Sequence, residues 1–530
     1  VLDLLIRGGL VYDGSGGPAF EADVAVHGDV IEAVERLDGA EAVRVIDARG
    51  LAVAPGFIDT HTHSDVMLLA NPQHAPKLQQ GVTTEVLGQD GISYAPLSPR
   101  NLEIYRRYVA GLNGIPDILW DWSTVAEFRA RFERTVAINT MYLIPHGAIR
   151  LEVLGMRDRP LVGADMKRAQ ALIAQGMEEW AVGFSTGLSY FPQSWSDTDE
   201  LVELCRPVAK KGGLYVVHLR TVFRGARYDP VWETLEVGRR SGVSIHFSHF
   251  RTHPATAGKT DQLLAPIEAA KAEGLDITME SYPYPSGNST AVMLVPAWAQ
   301  EDAPEGILEC LRDPDRRARI VAEMESTVDP SLGVSFADYV YSYLPSGRND
   351  DIVGLNFLEA TKQRGADSPS DLVCDLLLDE GLAVGFLIGP PAPAIWQTLD
   401  RDLMRLFARP DYTIGSDSVL AGQKPHPRTY GTFPRLLGRL RREYGGPSLE
   451  TLINRATGFA AQRFGLRDRG LLRRGKAADL VIFNPETLTD TATYDNPISA
   501  PVGIEFVLVN GQLALERGKP TGILAGRTLP

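Results

Sequence analysis

Residues 1–50 alternate short apolar stretches with turn chemistry: Leu2–Arg7, Gly14-Ser15-Gly16-Gly17, Asp23–Val26, then His27-Gly28-Asp29. Period-two runs broken by Gly and Asp predict strands of an antiparallel sheet. The C-terminal stretch repeats the style, with Ala478–Phe483 and Ile504–Val509, the latter followed by the hairpin dipeptide Asn510-Gly511. Two β-rich ends flanking a long α/β middle predict one small β-sandwich built from residues 1–54 and 466–530.

The middle, residues 55–465, has another rhythm. Strand-like runs recur at Val53–Asp59, Val82–Leu87, Asn139–Ile144, Val182–Ser185, Leu214–Val217, Ser244–Phe247, Ile277–Met279 and Tyr412–Ile414. Between them, Met166–Met177 and Leu263–Ala272 carry apolar residues at helical spacing and end near a Gly. Pro266 fits the second helix only if it falls in the first turn. Strand and helix alternating through eight units predict a (β/α)8 TIM-like barrel. The gap between the last two strands is too long for one crossover, so an insertion is expected there, at about 290–345, where Pro and Gly are frequent.

Composition narrows the function classes. Hydrophobic residues make up 44% and charged residues 23% of the 530, enough for a sizeable core. The formal net charge is −14, and neither Lys nor Arg forms a run, which argues against a nucleic-acid or anionic-membrane partner. A small anionic substrate needs only one or two placed cations and stays compatible. Cys205, Cys310 and Cys374 form no CxxC pair, so neither a disulfide framework nor a thiolate zinc site is expected. The first residues lack a basic, apolar leader pattern, and no run reaches the ~18 apolar residues of a membrane span. The expectation is a cytoplasmic protein, with homo-oligomerisation left open.

Candidate chemistry collects where a barrel keeps its active site, at the strand ends. The first strand runs into His61-Thr62-His63, and two His one residue apart in extended chain project to the same face. The fifth and sixth strands end in His218 and His249, and the last leads to Asp417. Any one of these His residues is as well read as a hydrogen-bonded interior side chain. All five together form a convergent N/O donor set that suits zinc, manganese, iron or nickel, with zinc the default for hydrolysis.

These residues, with Pro55–His63, Gly81-Val82-Thr83-Thr84, Tyr282-Pro283-Tyr284, the block His426–Pro434 and Gly475–Val481, resemble the amidohydrolase superfamily over nearly the full length. More narrowly the chain is similar to the N-acyl-D-amino-acid deacylases, or D-aminoacylases; the His426–Pro434 block is the more specific signature. One departure stands out. Where those deacylases carry Gly-Asn-Cys-Gly after the second strand, with the Cys on the metal, this chain reads Gly88-Gln89-Asp90-Gly91. Asp90 is a harder donor, ionised at neutral pH, and can ligate or bridge, or it can simply make a turn before Gly91. The carboxylated lysine of the cyclic-amide branch is absent, since the fourth strand holds no Lys.

The resemblance implies a divalent metal, zinc first and one or two ions, held by His218, His249 and Asp90. His61 and His63 hold a second ion or orient the first, with Asp417 among the ligands. Asp417 is also the implied catalytic residue, taking the proton of the attacking water and passing it to the leaving amine. Arg251 and Arg428 stand where the deacylases contact the substrate carboxylate, Tyr282 matches a substrate-contacting Tyr, and His146 is a pocket candidate. The expected reaction is hydrolysis of an N-acyl-D-amino acid to a D-amino acid and a carboxylate. Rivals are a D-dipeptidase, a dihydropyrimidine- or hydantoin-type hydrolase, and a non-catalytic scaffold. The acyl group, the side chain accepted and the preferred hand are not readable from the residues.

Overall fold

In the computed structural model, which describes residues 2–220, 229–327 and 335–530, eight parallel strands follow one another in chain order. They are Phe57–Asp59, Val82–Leu87, Asn139–Pro145, Gly183–Gly187, Leu214–His218, Ser244–Phe247, Ile277–Ser281 and Tyr412–Ile414. Each pairs with its sequence neighbour. The eighth meets the first just past their ends, where Thr60 N donates to Ile414 O, Asp417 N to His61 O and His63 N to Ser418 O. The closed parallel barrel follows from strands buried on both faces, such as Val82–Leu87 and Asn139–Pro145, whose every residue is buried.

The expected run Val53–Asp59 proves to be two strands. Ala52–Pro55 belongs to the terminal sheet, pairing with Leu2–Val11 and antiparallel with Leu480–Phe483, while Phe57–Asp59 starts the barrel. The switch falls at Gly56, where a Cβ would collide with the Thr83 side chain. Pro266 also departs from expectation. Its helix begins at Thr260, so Pro266 lies in the interior rather than the first turn and takes one i→i−4 bond out of the helix.

Both termini build a single nine-stranded sheet, ordered so that the C-terminal strand Leu480–Phe483 lies beside Ala52–Pro55. Its own core includes Val11, Val24, Val53, Ile482 and Leu508. Asn510-Gly511 turns Ile504–Val509 into Gln512–Glu516, with φ of 48° and 77° at the two turn residues, the backbone that a two-residue hairpin demands. Between the seventh and eighth barrel strands, residues 282–411 carry a three-stranded sheet of Asn288–Thr290, Gly385–Ile388 and Tyr339–Tyr343. Its central strand, Gly385–Ile388, lies beyond residue 345, where Pro and Gly frequency placed the end of the insertion. The three cysteines are free and buried on helices.

A buried polar knot fastens the terminal sheet to the barrel at the start of its third strand. Asp479 accepts from Asn139 Nδ2 at 2.9 Å and from Asn510 N at 2.7 Å, and it pairs with the Arg469 guanidinium. Replacing Asp479 by Ala leaves buried Arg469 with the exposed Asp468 as its remaining ion-pair partner and removes the acceptor of Asn510 N, and a loss of about 2–3 kcal/mol is expected. Urea unfolding measures it, while metal content of the folded fraction should not change.

Candidate metal centre

The backbone brings the sequence-predicted donors together at the C-terminal mouth of the barrel. His61 and His63 follow the first strand in extended chain that is zipped onto the extension of the eighth, and this places Asp417 opposite them. His63 Nε2 lies 3.4 Å from Asp90 Oδ2 and 3.4 Å from Asp417 Oδ1, and His61 Nε2 lies 3.5 Å from Asp90 Oδ1 and 3.7 Å from Asp417 Oδ1. The same Asp90 Oδ2 lies 3.3 Å from His218 Nδ1 and 3.8 Å from His249 Nε2, and those two nitrogens are 3.0 Å apart. The donors thus form two groups, His61, His63, Asp90 and Asp417, and Asp90, His218 and His249, with Asp90 common to both.

The turn that carries Asp90 is built rather than incidental. Gly88, Asp90 and Gly91 have φ of 80°, 55° and 63°, and a Cβ at Gly88 would run into the carbonyl of Leu143. Gln193 Nε2 donates to Asp90 O at 2.8 Å, Gly91 N to Ser185 Oγ at 3.0 Å, and Tyr105 Oη to Gly91 O at 3.0 Å. His249 and Asp417, with φ of 35° and 48°, share the left-handed backbone of Asp90. Three of six candidate ligands therefore sit in a conformation costing of order 1 kcal/mol or more each, held by surrounding structure.

The donor set fits a cation. Ligands ~2.0–2.1 Å from a tetrahedral ion stand ~3.4 Å apart, close to the separations here. Buried His61 Nε2 and Asp90 Oδ1 have no hydrogen-bond partner, although neither can afford to lack one in a dry site. Electrostatics point the same way. Burial works against a charged His61, yet Asp90, Glu280 and Asp417 outweigh it and raise its pKa well above the ordinary value. Burial likewise opposes charge on Asp417, but Arg428 and His61 hold the carboxyl far below the usual range. All six donors are nitrogen or oxygen, so thiophilic chemistry plays no part.

The expected substrate residues divide. Arg428 Nη1 pairs with Asp417 Oδ2 at 2.9 Å, its other Nη is bonded to Asn288, and its guanidinium lies 4.2 Å from the Tyr282 ring centre. Arg251 covers the same ring at 4.7 Å and donates to Tyr282 Oη at 3.0 Å and Pro285 O at 2.8 Å. Gly287 leaves room for both the Tyr282 hydroxyl and Arg428. His146 differs: its Nε2 lies 3.3 Å from Ser196 Oγ and 3.6 Å from Glu200, which in turn binds Arg150. Those contacts tie it to a buried network and to none of the six donors.

Two further groups escaped sequence reasoning. Glu280, at the end of the seventh strand, holds His61 Nδ1 at 2.8 Å. Below the donors, fully buried Lys77 binds Asp59, Glu85 at 2.9 Å and Ser416 Oγ at 2.8 Å, and Asp59 accepts from the backbone N–H of both His61 and Ser416. An acid closing an apolar strand was the only signal for Glu280. Nothing local marks Lys77, which rides on the four-residue helix Ala75–Leu78.

A parallel barrel whose strand tips present a shared-carboxylate N/O donor set defines a metal-dependent hydrolase of the TIM-barrel class. The chain belongs to the amidohydrolase family, whose description matches residues 44–514, and to its N-acyl-D-amino-acid deacylase branch. It is 36% identical to the N-acyl-D-aspartate deacylase of Alcaligenes xylosoxydans xylosoxydans, over 98% of this chain and 93% of that one. A crystal structure of D-aminoacylase superposes over 100% of both chains with 31% identity and a TM-score of 0.81. The N-acyl-D-glutamate deacylase of Bordetella bronchiseptica, complexed with zinc and a phosphonate inhibitor that mimics the tetrahedral intermediate, has 29% identity and a TM-score of 0.81, over 100% of this chain and 99% of that one.

If Asp90 is the carboxylate shared between both donor groups, Asp90→Ala is expected to retain metal about tenfold more weakly or worse. Metal analysis after dialysis checks this. Unchanged content would reduce Asp90 to a turn residue.

Proposed function

We propose that this chain hydrolyses the amide bond of N-acyl-D-amino acids, giving a D-amino acid and a carboxylate, with a divalent metal, zinc first. The observation that carries the reading is the sharing of Asp90 between two donor groups beside an Asp417–Arg428 pair. The D-hand comes from the deacylases the chain is similar to, and a small molecule with a free carboxylate is the expected substrate. His218, His249 and Asp90 would hold one ion, and His61, His63 and Asp417 complete the second group around Asp90. Metal bound there supplies Lewis acidity that polarises the scissile carbonyl and makes water nucleophilic near neutral pH.

The chain's own residues do the rest. Asp417, kept ionised by Arg428, accepts the proton that the attacking water loses and returns it to the amine nitrogen as the C–N bond breaks. An amide nitrogen leaves poorly until it is protonated, which is why a carboxylate within reach is needed. Arg251 and the Tyr282 hydroxyl, already bonded to each other, are the proposed receptor for the substrate's α-carboxylate. Arg428, committed to Asp417, sits on the same aromatic ring and adds positive potential. No Lys stands on the fourth strand, Gly183–Gly187, which disfavours the cyclic-amide alternative.

Asp417→Asn is expected to lower kcat by roughly 10²–10⁴-fold while metal at His218 and His249 is retained; surviving turnover would remove Asp417 from the proton path. Arg251→Ala should raise KM far more than it lowers kcat for substrates with a free carboxylate, and should make no difference to an N-acyl amine that lacks one. A chromatographic screen of N-acetyl and N-formyl amino acids of both hands, with and without zinc after chelation, tests the function as a whole. Equal activity on both hands, or none on either with zinc restored, defeats it.

A further inference from the structure

We infer that Glu280 is a positioning residue that couples the two donor groups, so that each cation site is held in shape partly through the other. This rests on the proposed metal centre and concerns a residue outside the six donors. Glu280 is the penultimate residue of the strand Ile277–Ser281 and is fully buried. A single oxygen, Oε1, accepts from His61 Nδ1 at 2.8 Å and from the backbone N–H of His249 at 2.6 Å. One ring belongs to the group of His61, His63, Asp90 and Asp417, and the other residue to the group of Asp90, His218 and His249.

The consequences follow from the geometry. A carboxylate accepting from Nδ1 fixes the His61 proton there and leaves the Nε2 lone pair facing Asp90 and Asp417. The bond to His249 N holds a residue at φ 35°, a backbone that no L side chain prefers. Glu280 O also accepts from Phe250 N at 2.8 Å, so the seventh strand grips the His249 segment twice. Gly415 completes the device, since a Cβ there would run into Glu280 Oε2 and the His61 Cβ. Because both donors converge on one atom, a shift of the His61 ring moves the acceptor that fixes the His249 main chain. A buried carboxylate whose second oxygen has no hydrogen-bond partner is poor stabilising material for its own sake. Its value lies in what it orients.

The test is competition for zinc between the zinc-loaded full chain and a chromogenic chelator, which yields an affinity for each ion bound. Glu280→Ala is expected to weaken both affinities by about tenfold to a hundredfold. Glu280→Gln keeps an acceptor oxygen but not the charge, and is expected to weaken both by less. Asp479→Ala, destabilised at the far end of the barrel, is the control that should leave both affinities unchanged. Loss at one ion alone, or at neither, in Glu280→Ala overturns the coupling. If that variant does not fold, a Glu280→Gln titration identical to the native one overturns it. A native chain that binds no zinc fails the proposed metal centre instead, before Glu280 is in question.

Discussion

Two carboxylates and four imidazoles share one mouth of this barrel, and the whole arrangement turns on the position of Asp90. Its Oδ2 lies among His63, His218 and His249 and its Oδ1 beside His61, at separations of 3.3–3.8 Å, too long for good hydrogen bonds and right for ligands of a common cation. Burial opposes every charge in the set; the attraction of His61 and His218 keeps Asp90 ionised, and that of Arg428 and then His61 keeps Asp417 so. Much of the surrounding structure exists to hold that one side chain: Gly88 for close approach to the third strand, Ser185 and Gln193 for the turn, Asp65 for Gly88 N.

The strain at the site is matched by rigid support below and behind it. Asp90, His249 and Asp417 all occupy left-handed backbone. Beneath them Lys77, Asp59, Glu85 and His74 form a buried charge network that binds the main chain of the His61 and Ser416 segments. Behind Tyr282, the C-terminal segment reaches in: Tyr494 Oη bonds Ser286 Oγ at 2.6 Å and His426 Nε2 at 3.0 Å, and His426 Nδ1 accepts from Arg428 N at 3.1 Å. The block His426–Pro434 thus links the terminal module to Arg428 beside Tyr282.

The eight strands and five of the six donors were legible because a parallel barrel writes its plan plainly, as apolar runs that stop at a donor. His-x-His in extended chain and His at a strand tip need only local geometry to interpret. Asp90 was legible only as a departure from a pattern, since its choice between turn and ligand depends on contacts with the third and fourth strands. The Gly56 switch was hidden because Val53–Asp59 is apolar in both its sheets. Glu280 and Lys77 were hidden because a buried charge is intelligible only once its partners, far away in the chain, are known. His146 follows a strand as the candidate donors do, and its contacts with Ser196 and Glu200 were hidden for the same reason.

The most direct measurement is anomalous diffraction at the zinc edge from crystals of the zinc-loaded protein. The account expects density bounded by His218, His249 and Asp90, with a second maximum on the His61, His63 and Asp417 side of the same carboxylate. A map with no peak touching Asp90, or with zinc only at surface residues, would contradict it.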